Sequence, residues 1–447
     1  MLGDILVAFA ASLAVWILLM YVTALIPSSA IRDNVLSSAE YMEENESNFY
    51  ELKSGDRRTL IHDYADAITL NILYSVDGED RLSDMITAPF YSDNANEEYP
   101  MIRLLEARVA DDAQPDTLYD RYWHGMMVYL RPLLLLTDIK GIRIISEILL
   151  AGLMIWLSVV LWKRKQKTLT VSLWIAGILV LMPMVGMTME YLATFLIMLI
   201  FSLMVTHFYG DDRKLPMLMA ACGVSCAFTD FLTTETVTFV VPMAIAIALR
   251  VRKAEEQNVA VKPAAEWKKT IQCGFSWLGS FLMTYIVKWS LSSLILGEDR
   301  FTPALQMFFY RQGSQVTQIA TESLAAGDIS MVQSAALPQP VMAVLLNLKL
   351  LTGIGSNVTL MTIFTVMIIA VPILAIFLYL YHRKGPENRT WAILLGLAVI
   401  PILRFAILNN HSLEHNFFTY RALFGTIVCL ITAAAGIIDR KMLKKKS

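Results

Sequence analysis

The 447 residues are 56% hydrophobic and only 17% charged, with a formal net charge of −2. That balance excludes a set of soluble domains, and no arginine-rich patch with interleaved aromatics points to nucleic acid. The four cysteines (Cys222, Cys226, Cys273 and Cys429) fall in apolar runs, so they read as small packing residues rather than a disulfide framework.

Apolar runs at 4–26, 142–162, 169–187, 190–208, 215–232, 236–250, 270–296, 358–381, 391–408 and 419–438 predict ten membrane-spanning helices. Helices are required because backbone polar groups in lipid must be satisfied within the segment. The expected class is therefore an all-α integral membrane protein. Residues 1–26 lack a basic n-region and carry a long apolar run, so they read as a retained first span and not a signal peptide. A shorter apolar piece at 341–354 contains Lys349 and suits a half-inserted or lumen-lining helix.

Basic links set the orientation. Lys163-Arg164-Lys165-Gln166-Lys167, Arg213-Lys214, Arg250-Val251-Arg252-Lys253, His382-Arg383-Lys384 and the tail Lys441 with Lys444-Lys445-Lys446 fall on one side by alternation. That side is expected to be cytoplasmic, with both termini inside. The expected organisation is a first span (1–26), a large, partly helical extracytoplasmic loop (27–135), spans two to seven (136–296), a second extracytoplasmic segment (297–357), and spans eight to ten with a basic tail (358–447). Residues 28–135 carry 21 Asp and Glu against 9 Lys and Arg, an acidic region on the face opposite the basic links.

Within that loop Ile31, Val35, Ala39 and Met42 recur at helical spacing. In the next helix Ile61, Tyr64, Ala65, Ile68 and Ile72 predict one apolar face, while Asp63 and Asp66 lie one turn apart. Residues 77–100 are turn-rich and read as irregular. Arg121-Tyr122-Trp123-His124-Gly125 then leads toward the second span, its aromatics suiting a membrane interface. Asp230-Phe231-Leu232-Thr233-Thr234-Glu235 follows the fifth span, and an aspartate at that depth is costly unless paired or facing a cavity. Lys288 near the end of the seventh span reads as a snorkelling residue. Arg404, inside the ninth span, reads as a partner for Asp230 or for a phosphate.

The polar hinge at 409–421 concentrates His411, Glu414, His415, Tyr420 and Arg421 between two apolar runs. His411-Ser412-Leu413-Glu414-His415 matches the H-x-x-E-H zinc pattern, but no glutamate follows position 415 to complete the ligand set. A phosphate- or sugar-binding turn built on His411, His415, Tyr420 and Arg421 is the stronger reading.

Asp63-Tyr64-Ala65-Asp66 with Leu70-Asn71, Arg121-Tyr122-Trp123-His124-Gly125 with Leu130-Arg131-Pro132, Asp230-Phe231-Leu232-Thr233-Thr234, and His411 through Arg421 together resemble a group of bacterial multi-spanning membrane glycosyltransferases of GT-C architecture. The resemblance implies a polyprenyl-phosphate or -diphosphate sugar donor embedded in membrane lipid, and a cell-envelope acceptor at the outer face. It implies Asp66 as base or metal ligand, with Asp63 as alternate and Asp33 competing for the role. It places Arg404, Arg421 and Lys288 on the carrier phosphate, Tyr122 and Trp123 against a sugar ring, and His124 and His411 on hydroxyls. Glu235 stands where the family pattern has proline. Participation of a divalent cation is left open. Two alternatives share the same residues: a transporter or flippase of a lipid-linked saccharide, and a zinc-dependent membrane hydrolase.

Overall fold

The computed structural model describes residues 2–44, 49–93, 100–313, 338–352 and 386–444. Among the described residues, six helices are long and apolar enough to cross a membrane: Leu2–Ala24 (α1), Ile139–Lys163 (α7), Met189–Phe208 (α9), Pro263–Leu296 (α12), and the stretches Thr390–Ile407 and Asn416–Gly436. These apolar helices mark an integral membrane protein. The expected span at 358–381 lies outside the described residues. The expected third and fifth spans correspond to shorter apolar helices, Lys167–Leu179 (α8) and Lys214–Thr229 (α10). At ~1.5 Å per residue, the 13 residues of α8 fall well short of a ~30 Å hydrocarbon layer.

The centre of the bundle is α9 and Val237–Glu256 (α11), where every residue from Val237 to Val251 is buried. By contrast α1, α7 and α12 turn large apolar side chains outward, among them Leu18, Ile148, Trp156 and Phe275. At the α10–α12 contact, a Cβ on Gly223 would lie 2.2 Å from the Trp277 carbonyl oxygen, so only glycine permits that approach.

The two ends of the bundle differ. At one end Arg213 pairs with Asp4, Lys269 with Asp212, and Arg250 with Glu266, while Gln166 donates to the Ala248 carbonyl. The basic links at 163–167, 213–214 and 250–253 thus gather where the N-terminus begins. At the other end sits a cap built mainly from residues 28–135. Its helices are Ser28–Glu43 (α2), Asp63–Ser75 (α3), Arg81–Thr87 (α4), Met101–Ala110 (α5) and Met127–Leu134 (α6). Two short antiparallel ladders, Tyr50–Glu51 (β1) with Leu60–Ile61 (β2) and Pro89–Phe90 (β3) with Thr117–Leu118 (β4), tie its loops. The stretch expected to be irregular at 77–100 therefore contains α4 and β3.

The helical face predicted in α2 is realised: Ile31, Val35, Ala39 and Met42 are all buried. The face predicted in α3 is not. Tyr64 is 37% exposed and Ile68 half-buried, whereas Asp63 and Asp66 are fully buried. A cation on α7 reverses the ordinary polarity of the helix: Arg143 Nη2 donates to Asp63 Oδ1 at 2.5 Å and to Asp66 Oδ2 at 2.8 Å. Arg131 does similar work beneath the cap, donating to the carbonyls of Leu73, Val76 and Ile26.

Six further helices complete the described chain. Phe301–Arg311 (α13) follows α12, and Gln339–Thr352 (α14) covers much of the piece predicted at 341–354. Pro386–Ile407 (α15) leads into the hinge, which folds into the short helices Asn409–Glu414 (α16) and Asn416–Thr419 (α17) before Leu423–Lys444 (α18).

Candidate functional site

A cavity of about 550 Å³ opens between the cap and the bundle. Its walls come from six separated parts of the chain: the β1–β2 and α3 region, the 119–124 turn, the start of α9, Phe231 in the turn after α10, the end of α13, and the hinge.

One wall is aromatic. The rings of Phe49, His62 and Tyr64 lie near-parallel, with centroids 4.7 Å apart for Phe49 and His62 and 6.1 Å for His62 and Tyr64. Ala65, Ile68 and Phe231 extend this surface. The apolar side of α3 therefore faces the cavity and not the protein core.

The polar groups cluster around His62. Its Nδ1 lies 2.6 Å from Glu190 Oε2, an acid–histidine pair with the side chains only 7% and 14% exposed. A proton held between those two atoms fixes the imidazole tautomer and leaves Nε2 as the ring nitrogen that Glu190 does not engage. His411 and His415 lie opposite, ring centroids 4.6 Å apart. Burial drives the His411 imidazole well below its usual range and that of His415 down to about 3, so both are neutral near pH 7. His411 Nε2 is 2.9 Å from the Leu232 carbonyl oxygen and donates to it. Burial likewise raises the Glu414 carboxyl, which accepts from Tyr310 at 2.5 Å and from Asn410 at 3.2 Å.

Two arginines enter the same space, Arg57 from the short helical turn after β1 and Arg311 from the end of α13. Arg311 lies over the Tyr122 ring at 5.5 Å. Its Nη1 is buried with no hydrogen-bond partner among the described residues. No carboxylate pairs with it among the described residues, although it is near enough to bear on the charges of Glu190 and Glu414.

Of the polar residues singled out from sequence, His124, His411, Glu414 and His415 line the cavity. Asp63 and Asp66 do not. They lie behind the α3 wall on Arg143, and Asp66 also accepts from the Met189 amide at 2.9 Å. Burial raises the Asp66 carboxyl to about 6 against the pull of Arg143. Asp33 is exposed on α2 and also lies outside the cavity lining. Trp123 is fully buried, stacked on Phe228 at 4.2 Å with its indole nitrogen donating to the Thr284 carbonyl, and Tyr122 is only 4% exposed. Neither ring is open to stack on a sugar. Tyr64 and Tyr119 are the tyrosines on the cavity wall. Arg121 turns its guanidinium over the Tyr119 ring at 5.2 Å. Gly125 donates to the Phe228 carbonyl at 2.7 Å, and a Cβ there would lie 2.5 Å from that oxygen. This contact pins the 119–126 turn to the end of α10.

Arg404 pairs with Glu235 at 2.9 Å, donates to Ser412 Oγ and reaches the Leu232 carbonyl. Its partner is thus Glu235 instead of Asp230. Asp230 closes its own turn by accepting from the amide and hydroxyl of Thr233. Arg421 donates to the carbonyls of Phe417 and Arg58, sandwiched near Tyr191 and Tyr420, and Tyr420 donates to the Val180 carbonyl. Lys288 is fully buried against the Ile86 carbonyl and the Trp123 ring, so it does not snorkel. These cations fasten elements together around the cavity.

Sequence reasoning missed the roles of His62, Glu190, Arg57 and Arg311 and the orienting role of Asn347, which donates to the Ser412 carbonyl and accepts from Thr419. The signals were faint. Arg57-Arg58 is a basic island in an acidic region, and Glu190 is a lone acid opening an apolar run.

Among the described residues, no group of three or more His, Cys, Asp or Glu side chains is arranged to hold a metal. No family model, curated protein or solved structure matches this chain.

Proposed function

We propose that the cavity binds a polyprenyl-phosphate-linked sugar and that the protein transfers the sugar to a cell-envelope acceptor at the extracytoplasmic face, as a GT-C-like glycosyltransferase. The observation that carries this reading is the meeting of Arg311, which has no carboxylate partner among the described residues, with the His62–Glu190 pair in one half-enclosed space. A volume of about 550 Å³ falls within the ~300–1,000 Å³ range of small-molecule sites. Arg311 and Arg57 supply fixed charge for a leaving phosphate. His62, oriented by Glu190, supplies a base for an acceptor hydroxyl. The Tyr64 and Ile68 side of α3 supplies an apolar and aromatic face for a sugar ring. In this reading Asp63 and Asp66 shape the wall, and the base role passes to the pair in front of them.

The test is purified protein in liposomes with a radiolabelled sugar on polyprenyl phosphate, scored for label leaving the lipid. Transfer that disappears in Arg311→Ala and Glu190→Gln supports the proposal. The confinement of Asp66 behind the wall favours a second reading, binding and translocation of a lipid-linked saccharide without chemistry. Label that changes leaflet while staying on the lipid would establish that alternative.

A further inference from the structure

We infer that α13 lies in the headgroup layer of the bilayer, seated by an outward apolar stripe, and carries Arg311 from the lipid surface into the cavity. The inference concerns how the helix is seated and holds whatever reaction the cavity performs.

The helix presents its residues in an unusual sense. Phe301, Leu305, Phe308 and Phe309 fall at i, i+4, i+7 and i+8, one face at helical spacing. In a helix packed on a protein core that stripe would be the covered side. Here Leu305 is 45%, Phe308 39% and Phe309 52% exposed, and the one buried residue is the small Ala304. Arg311, seven residues after Ala304, shares its inward side.

What covers the stripe follows from the neighbouring chain. The preceding helix, α12, is a candidate membrane span whose outward side chains include Phe275, Leu278, Leu282 and Leu294. It ends at Gly297, whose left-handed φ of +67° turns the chain, and α13 begins four residues later. The α13 stripe therefore continues an apolar surface already given to lipid. Both ends of the helix are moored to the protein by polar contacts. Arg300 pairs with Asp120 at 3.3 Å, and Tyr310 donates to Glu414 while the Gln312 carbonyl accepts from Asn409 at 2.6 Å. An amphipathic helix so held, with three large apolar side chains outward, matches an interfacial helix whose apolar face sinks ~5–10 Å into the headgroup–acyl boundary.

The test needs no substrate. The four native cysteines are buried, so single Leu305→Cys, Phe309→Cys, Thr302→Cys and Gln306→Cys variants can carry a nitroxide in the full-length protein, reconstituted in phosphatidylcholine vesicles. The expected result is that positions 305 and 309 are relaxed more by oxygen than by a water-soluble nickel chelate, with the order reversed at 306. Equal chelate access at 309 and 306 would overturn the inference. So would spin–spin broadening at 305 or 309, which would put a second copy of the chain on the stripe. The unmutated protein gives an independent measurement: a diazirine-bearing phospholipid should mark the segment 301–311 as well as α12. Marking of α12 without 301–311 would also overturn the inference.

Discussion

A single nitrogen of Arg143 serves two carboxylates, Asp63 at 2.5 Å and Asp66 at 2.8 Å, with all three side chains almost wholly out of solvent. Two acids on one cation leave a surplus negative charge, and the protein carries it behind a cavity wall. Removing the cation should be far more damaging than neutralising one acid. Breaking a buried pair from one side costs about 3–5 kcal/mol. Arg143→Met is therefore expected to lose roughly that much, and Asp66→Asn about 1–3 kcal/mol as a weakened charged hydrogen bond. Thermal unfolding of the detergent-solubilised protein measures both. An Asp66→Asn protein of full stability that has lost all transfer would instead return the base role to Asp66.

His62 and Glu190 should behave oppositely. Both border open space, and His62→Gln and Glu190→Gln keep approximate shape. Because glutamine can keep a hydrogen bond at either position, unfolding midpoints are expected to move less than in Arg143→Met, while loss of a positioned base lowers transfer by about 10²–10⁴-fold. Parallel melting curves and initial rates decide the point: a large stability loss without a rate loss makes the pair structural.

Arg311→Ala should weaken binding of the anionic lipid carrier by about 1.5–3 kcal/mol, the worth of a charge-assisted hydrogen bond, or some tenfold to a hundredfold in affinity. Arg311→Lys keeps the charge but loses the planar fork and should recover only part. Arg421→Lys is expected to leave carrier affinity intact and to lower stability, because Arg421 donates to the Phe417 and Arg58 carbonyls. Titrating a polyprenyl phosphate into each reconstituted variant separates the three.

His124 offers a clean pH test. Its Nε2 donates to the Tyr119 carbonyl at 2.8 Å, and burial, assisted by the Lys288 charge, holds the imidazole down to about 3. The native pKa lies below the unfolded value of ~6.5, so the unfolded chain takes up the proton first. The histidine's contribution is therefore present above pH 6.5 and is lost as pH falls toward 3. Wild type should lose about 1.4 kcal/mol per pH unit relative to His124→Gln between pH 6 and 4, with no slope between them above pH 7.5. Chemical denaturation across that range reads the difference directly.

The long apolar helices and the gathering of their polar links were legible because lipid imposes a blunt rule on composition. The buried face of α2 followed from simple periodicity. The polarity of α3 did not, since it depends on an arginine 80 residues downstream in α7. Nor did the fates of Arg404 and Arg421. A cation bound to carbonyls and one bound to a phosphate look identical in a sequence, and only the fold supplies the oxygen atoms. One of the two cavity arginines, Arg311, sits on a helix whose apolar stripe faces outward, so the usual equation of apolar with interior hid its role.

The Arg143 cluster has a consequence for how this protein can be divided. The cation belongs to a candidate membrane span, and the acids belong to the cap. Arg131 likewise fastens the end of α1 to the end of α3. A soluble fragment cut free of the membrane helices would carry two interior acids with no counter-ion. The cap is therefore a lid riveted to its vessel: expression, binding studies and inhibitor screens need the whole chain in lipid or detergent.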